Sequence, residues 1–395
     1  MKRIASISYI TLFCAILLVP TGMWLCGIKE PFPFFDNRRP ATLPEFDISY
    51  LDPYPQKMEA FINDNFPLRN TAIHWLNRTH TLNFSISPKP ELITVGTNNW
   101  LYEGEDDANF ILGMKPIADS MISLMIEELN SRQEYCKSVG AEFRLVIIPN
   151  KLTIYPEHWP AHFRLAKKYP TPVELLLSRS AGKCTVPILY LRDSLMQHKA
   201  GSPLYPSTDS HWNHIGTYFG YRSIVRWLRN DPSLSIVPLS DITTTIDTVR
   251  YSDLSYILGM ELWKDTIYNC ILPNNPLVKQ VNEPSYPCDT SWFSYCWEHH
   301  QTFISTDTTL PRILIMRDSF TNTLMRGLLA PNFSRCTFIW DYWQHKLNKE
   351  IVSSEKPDIV VCMMNERFLL NLVKYRNRDE VPGSGRMLGE WMKWW

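Results

Sequence analysis

A chain of 395 residues with 45% hydrophobic and 13% aromatic side chains against 20% charged can bury enough apolar surface for one large or two modest globular units, which excludes a disordered polymer. Forty basic side chains cancel forty acidic ones, so no global field draws in nucleic acid, and any charged partner must be met by a local patch. Gly is scarce at 15 against 29 Pro, and neither G-x-G-x-x-G nor G-x-x-x-x-G-K-[ST] occurs, so no nucleotide or other cofactor is expected.

Lys2 and Arg3 precede a stretch, 4–28, without a charged side chain. A bilayer core needs about 20 apolar residues, and a basic amino flank favours keeping that end in the cytoplasm. Residues 1–28 are therefore expected to be an uncleaved signal anchor, with the rest of the chain outside. The run exceeds the roughly 7–15 apolar residues of a cleaved signal, and Leu25 stands where a small residue would precede a lipid-modified Cys26. Residues 29–47, with Pro31, Pro33, Pro40 and Pro44, read as an extended tether, leaving 48–395 as the globular unit.

Met58, Phe61, Ile62 and Phe66, then Ile73 and Leu76, recur at helical spacing on either side of a break at Pro67. Short alternating runs over 93–102, with Gly96 and Asn98-Asn99, predict a hairpin. Alternation of helix and strand follows: helix 117–139 with Met121, Leu124, Met125, Leu129 and Tyr135 on one face, strand 143–148, helix 172–180, strand 186–191 and helix 215–228. The rhythm is lost over 231–311, which is Thr-, Pro- and aromatic-rich and reads as an insertion or irregular β-region. It returns with strand 313–316, helix 320–329, strand 337–340, helix 343–353, strand 359–363 and a terminal helix. Strands separated by helices predict an α/β fold with a parallel sheet covered on both faces, and ligands bind such sheets outside the carboxyl ends of the strands.

Seven of the nine Cys lie beyond the anchor without a C-x-x-C pair, so metal clusters and thioredoxin chemistry lack support. Cys288 and Cys296, flanking an aromatic loop, are the candidate disulfide. Burial as small apolar residues is the alternative for most of the cysteines.

Ser319 follows Arg317-Asp318 at a predicted strand-to-helix turn. A nucleophile is well exposed there, and the first amides of the next helix would favour an oxyanion. The bland alternative is that Asp318 or Ser319 caps the helix. In Asp209-Ser210-His211-Trp212-Asn213, residues two apart share a face, so Asp209 can orient the His211 imidazole as the base for Ser319. Helix capping by Asp209 and a surface role for His211 compete with this, as does metal binding by Asp209, His211 and His214. No metal is expected, because no second ligand cluster accompanies them. Asn150 and Lys151 after strand 143–148, Trp212, and Arg367 after strand 359–363 stand at strand edges where they could bind a sugar or an oxyanion. Loop capping and ion pairing are the structural alternatives. The aromatic carboxyl end, Trp391, Trp394 and Trp395 with Lys393, has the composition of an interfacial anchor, with core packing as the default.

Several segments, in order, carry a resemblance: Asp36-Asn37-Arg38-Arg39; Phe61-Ile62-Asn63-Asp64-Asn65-Phe66-Pro67-Leu68-Arg69; Gly96-Thr97-Asn98-Asn99-Trp100-Leu101-Tyr102; Ile148-Pro149-Asn150-Lys151 with Tyr155-Pro156; Thr208-Asp209-Ser210-His211-Trp212-Asn213; and Asp318-Ser319-Phe320. Over about 36–370 the chain resembles the alginate O-acetyltransferase family, whose catalytic domain is SGNH-hydrolase-like. The resemblance implies an exported domain at the bacterial inner membrane, on the periplasmic side, that acetylates a polysaccharide. Ser319 would be the acylated nucleophile, His211 the base and Asp209 its orienter. A membrane-bound O-acyltransferase is the implied acetyl donor. Where the family usually has a small residue two positions before the Ser, this chain has Arg317, which puts the turn and the substrate in question. An acetyl esterase and a non-catalytic polysaccharide-binding scaffold are the rival functions.

Overall fold

The computed structural model describes residues 2–32, 40–48, 52–160, 168–229, 236–249, 252–259, 265–273, 275–281, 283, 285–288, 295–341 and 343–375. The motif at 36–39 and the aromatic segment at 391–395 lie outside the described residues, as do parts of the tether and of the stretch 231–311.

The amino end is helix α1 (Lys2–Leu25), of which Ser6–Leu25 is long and apolar enough to cross a membrane by length and composition. Helices α2 (Tyr54–Asn65) and α3 (Arg69–Phe84) flank Pro67 as the periodicity predicts. Hairpin β1 (Ile93–Val95) and β2 (Leu101–Glu103) turns through Asn98 and Asn99, whose positive φ of 55° and 65° suits Asn. Then come α4 (Glu105–Ile111), α5 (Asp119–Ser138), β3 (Glu142–Ile148), α6 (Lys151–Ile154), α7 (Pro172–Ser180), β4 (Ile188–Tyr190), α8 (Arg192–His198) and α9 (His214–Arg229). The bounds of α7 coincide with the expectation because Thr171 and Glu174 form a capping box ahead of Pro172 at the first turn. The chain continues through β5 (Thr243–Val249), α10 (Asp253–Ile257), β6 (Asp265–Ile271), β7 (Val278–Val281), β8 (His300–Ser305), β9 (Arg312–Arg317), α11 (Thr323–Leu329), β10 (Arg335–Trp340), α12 (Lys349–Glu355), β11 (Ile359–Asn365) and α13 (Asn371–Lys374).

The main sheet runs β4-β3-β11-β9-β10-β8-β7. From β4 to β10 all pairs are parallel, whereas β8 and β7 are antiparallel additions. The expected parallel sheet forms the core, and β7 and β8, from the stretch read as an insertion or irregular β-region, add an antiparallel border that makes the sheet mixed. The same stretch forms the β5–β6 ribbon.

Period-two alternation divides each central strand between two cores. Val146 and Ile148 of β3 and Val361 and Met363 of β11 face α8, α9 and α11. Phe143, Leu145 and Ile147, with Val360, Cys362 and Met364, face α5, α7, α12 and α13. The buried face of α5 is rotated from the predicted one to Ile122, Met125, Ile126, Leu129 and Cys136. Two polar residues draw it round: Gln133 accepts the Phe143 amide at 2.7 Å, and Arg132 donates to the His345 carbonyl at 2.6 Å. The helix expected from 343 begins only at Lys349, after the Asn348 cap. Trp343 and His345 adopt positive φ of 60° and 52°, and the Asp341 carboxylate takes the amides of His345 and Lys346 at 2.9 and 2.8 Å. That loop outcompetes a helix. Cys288 and Cys296 form the expected disulfide.

Candidate active site

The carboxyl ends of β3, β11, β9 and β10 form one rim, and Ser319 stands on it two residues after β9. Its turn is set by Asp318, which is fully buried. One carboxylate oxygen of Asp318 accepts the Phe320 amide at 2.9 Å and the other the Asn365 amide at 2.6 Å, joining the ends of β9 and β11. Burial pushes the Asp318 carboxyl up, and these amides pull it back. Helix α11 starts four residues beyond Ser319, and its cap is Asn322, which accepts the Met325 amide at 2.9 Å. Two expectations are corrected together: neither Asp318 nor Ser319 caps the helix, and the helix amides do not directly follow Ser319.

Arg317 turns its guanidinium to Glu298, donating at 3.0 Å to the carboxylate and 2.8 Å to the carbonyl, and lies over the Trp340 ring at 4.6 Å. Arg326 shares the same carboxylate at 3.2 Å. The bulky side chain of Arg317 is thus accommodated by burial of its guanidinium against Trp340 and an ion pair to the part-exposed Glu298. Burial and the neighbouring Arg326 lower its pKa to about 10.

His211 comes from the loop between α8 and α9. Asn213 caps α9, accepting the amides of Ile215 and Gly216 at 2.9 and 3.0 Å. Gly216 is required because a Cβ there would lie 2.5 Å from the Leu204 carbonyl oxygen. His211 Nε2 lies 2.8 Å from Ser319 Oγ, and Nδ1 lies 2.9 Å from Asp209 Oδ1, which also accepts the His211 amide at 2.8 Å. The predicted Asp209, His211 and Ser319 are therefore brought into one line. Burial opposes charge on the imidazole, but hydrogen bonds and charge from Asp209 and Asp253 overcome it and raise its pKa to about 10.

The remaining predicted site residues serve the frame. Lys151 is wholly buried, and its ammonium donates to the carbonyls of Asp209, Ser207 and Pro206 at 2.6, 3.0 and 3.4 Å. It braces the base loop and presents nothing to a sugar. Burial lowers its pKa to about 8 against the pull of Glu103, Asp253, Asp209 and Asp265. Asn150, also buried, caps α6 through the Leu152 amide at 2.9 Å and donates to Glu103 at 3.2 Å. Trp212 is 3% exposed, donates to the Phe320 carbonyl at 2.8 Å and packs against Gly220. Arg367 pairs with Glu103 and lies over Phe368 at 4.7 Å. His214 accepts the Cys270 amide at 2.8 Å, and so stands apart from the metal set once considered with it.

Two carboxylates escaped the sequence reading. Asp265, opening β6, accepts the Thr208 amide and hydroxyl at 2.7 and 2.8 Å and the Ser207 hydroxyl at 3.1 Å. Asp253, opening α10, reaches within 3.3 Å of His211 Nδ1. Both lie in the stretch whose periodicity is lost; the Ser252-Asp253 start of a short helix was the available signal.

Residues 93–269 match the family model described as SGNH hydrolase-like domain, acetyltransferase AlgX; the match includes Asp209, His211 and Asp253 and ends before Ser319. A protein of Pseudomonas syringae pv. tomato named "Probable alginate O-acetylase AlgJ" is 24% identical over 294 residues, 72% of this chain and 67% of its own length. Its namesake in Pseudomonas fluorescens is 23% identical over 295 residues, 71% of this chain and 66% of its own, so the chain spans about two thirds of these relatives. The structure of Bacillus cereus PatB1 with sulfonyl adduct shares the fold at a TM-score of 0.51 and 15% identity, covering 70% of this chain and 96% of that one. The motifs and these matches agree: the chain resembles the alginate O-acetyltransferase family and has an SGNH-hydrolase-like α/β fold.

Proposed function

We propose that the chain is a Ser-His-Asp O-acetyltransferase that moves acetyl from a donor to Ser319 and on to a hydroxyl of an exported or cell-envelope polysaccharide. The observation that carries this reading is the imidazole of His211, held 2.9 Å from Asp209 on one side and 2.8 Å from Ser319 Oγ on the other. His211 Nε2 takes the Ser319 proton as Oγ attacks the acetyl carbonyl, then returns that proton to the departing donor oxygen. The sugar hydroxyl gives its proton to the same nitrogen while attacking the Ser319 ester, and Ser319 leaves with it. The Ser319 amide is the oxyanion donor in this reading, since the Phe320 amide is occupied by Asp318.

Residues 1–28 then act as the anchor at the inner membrane, 29–47 as the tether and 48–395 as the periplasmic acyltransferase domain. A membrane-bound O-acyltransferase supplies acetyl. The relatives' names support a polysaccharide acceptor of the alginate kind.

An acetyl esterase is the second reading, favoured by one observation: the His211 and Asp209 side chains are 29% and 21% exposed, open to water as well as to an acceptor. Incubation of the full chain with a chromogenic acetyl ester and intact mass analysis should reveal an acetyl adduct that is lost in Ser319→Ala. Adding acceptor glycan should then divert acetyl from water to sugar. Release to water unaffected by any glycan supports the esterase, and no adduct or turnover in the parent supports a binding scaffold.

A further inference from the structure

A second carboxylate grips the imidazole from a different element. Asp253 Oδ2 lies 3.3 Å from His211 Nδ1, and Asp253 Oδ1 accepts the Ser210 amide at 2.8 Å. The Ser210 hydroxyl also donates to Oδ2. Asp209 holds the same ring nitrogen from within the loop. Two ionised carboxylates accept and cannot donate, so the nitrogen between them must carry the proton. In the neutral ring, which forms as pH rises toward the raised His211 pKa, Nε2 is then left with its lone pair toward Ser319, the tautomer a general base needs.

Asp253 is rigidly delivered. Leu254 and Leu258 pack with Ile93, Val95 and Leu101 of the hairpin. At the far end of α10, Asn77 of α3 donates to the Leu258 carbonyl at 2.6 Å, and His74 Nδ1 lies 2.8 Å from the Gly259 carbonyl. Lys89 donates to the Ile257 carbonyl at 3.1 Å.

We propose that Asp253 is a positioning residue for His211: it pins the Ser210 turn, fixes the imidazole tautomer beside Asp209, and stabilises the imidazolium formed when Ser319 is deprotonated. This rests on the reading of Ser319 and His211 as nucleophile and base. The charged groups around the ring are Asp209 in its own loop, Asp253 from α10, Lys151 from α6 behind the loop, Asp265 from β6 below Thr208, and Asp318 and Arg367 from the rim; the Phe320 ring centre lies 4.8 Å away. Burial alone would raise the Asp253 carboxyl, yet the bonds to His211 and Ser210 hold it low. The Asp209 carboxyl is raised by burial and by Asp253. The anion facing the ring is thus carried on α10 as well as in the loop.

The test uses the full chain in detergent micelles. The first readout is kcat/KM for a chromogenic acetyl ester against pH, in the parent, Asp253→Asn and Ser319→Ala. The second is the His211 pKa from NMR of labelled histidine in the Ser319→Ala background, with and without Asp253→Asn, the signal being assigned by its loss in His211→Gln. An Asn at 253 still accepts the Ser210 amide but withdraws the charge. The midpoint of the ascending limb and the NMR pKa should both fall by about one pH unit or more, with a lower plateau. A residue that only shaped the loop would lower the plateau and leave both midpoints where they were, and that result overturns the proposal. Turnover persisting in Ser319→Ala would refute the nucleophile reading separately, with the NMR pKa still deciding the role of Asp253.

Discussion

At the Ser319 turn, Asp318 is buried between the ends of two paired central strands, and two backbone amides fix its carboxylate. His211, by contrast, sits in a loop outside the sheet. Leu101 donates its amide to the Ser207 carbonyl, and Lys151, Asp265 and Asp253 hold the rest. The first half inherits its geometry from strand pairing and core packing. The second is assembled from charges and side chains that arrive from four separate elements. Damage and pH should therefore act mainly on the His211 loop, while the Ser319 turn survives most changes short of altering Ser319 itself.

The largest expected effect is at that residue. Ser319→Ala should lower acetyl-ester turnover on the order of 10⁴-fold or more and leave the melting temperature in place, as steady-state rates and calorimetry would show. Retained turnover would break the comparison at its root. Lys151→Met tests the other half: it strips the shared donor from three carbonyls and should cost about 3–5 kcal/mol. A fall of roughly 4–7 °C in melting temperature is expected, together with a loss of kcat. Unchanged stability would show that the loop holds itself.

Cys288→Ser sharpens the contrast from the nucleophile's side, because the disulfide holds Cys296 two residues before Glu298, the partner of Arg317. Opening a loop with a separation of 8 residues should cost about 2–3 kcal/mol. The melting temperature should fall accordingly, but the pH midpoint of turnover should stay, since no charge near the imidazole changes.

The smallest effect is a tilt of stability with pH. The His211 pKa rises from 6.5 to about 10 on folding, so its contribution is fully present below 6.5 and is lost as pH climbs through about 10. The Lys151 pKa falls from 10.5 to about 8, so the cost of its buried charge is relieved between about 8 and 10.5. Urea midpoints should therefore decline from pH 6.5 to 8 and flatten from 8 to 10, and the decline should vanish in His211→Gln.

The central line of Asp209, His211 and Ser319 was legible because each piece is local: a D-x-H two residues apart and a D-S pair ending an apolar strand. Asp253 and Asp265 were not, since they meet the loop from 43 and 57 residues away, out of a stretch with no periodicity to place it. The strand edges were read correctly, but an edge position does not reveal which way a side chain turns. Asn150, Lys151 and Trp212 turn inward, where buried carbonyls and a carboxylate satisfy them. The parallel core of the sheet followed from alternating strands and helices. Its antiparallel border did not, because β7 and β8 are short and half-exposed and show no apolar run.

The grip of His74 and Asn77 on the end of α10 bears on where the chain can be shortened. A fragment cut at residue 93, where the family match begins, would keep Asp209, His211, Asp253 and Ser319 and still strip the donors from the Leu258 and Gly259 carbonyls. A fragment beginning ahead of Tyr54 would retain α2 and α3, and with them the clamp. Residues well ahead of the family match thus belong, for the placement of the His211 imidazole, to its supporting frame.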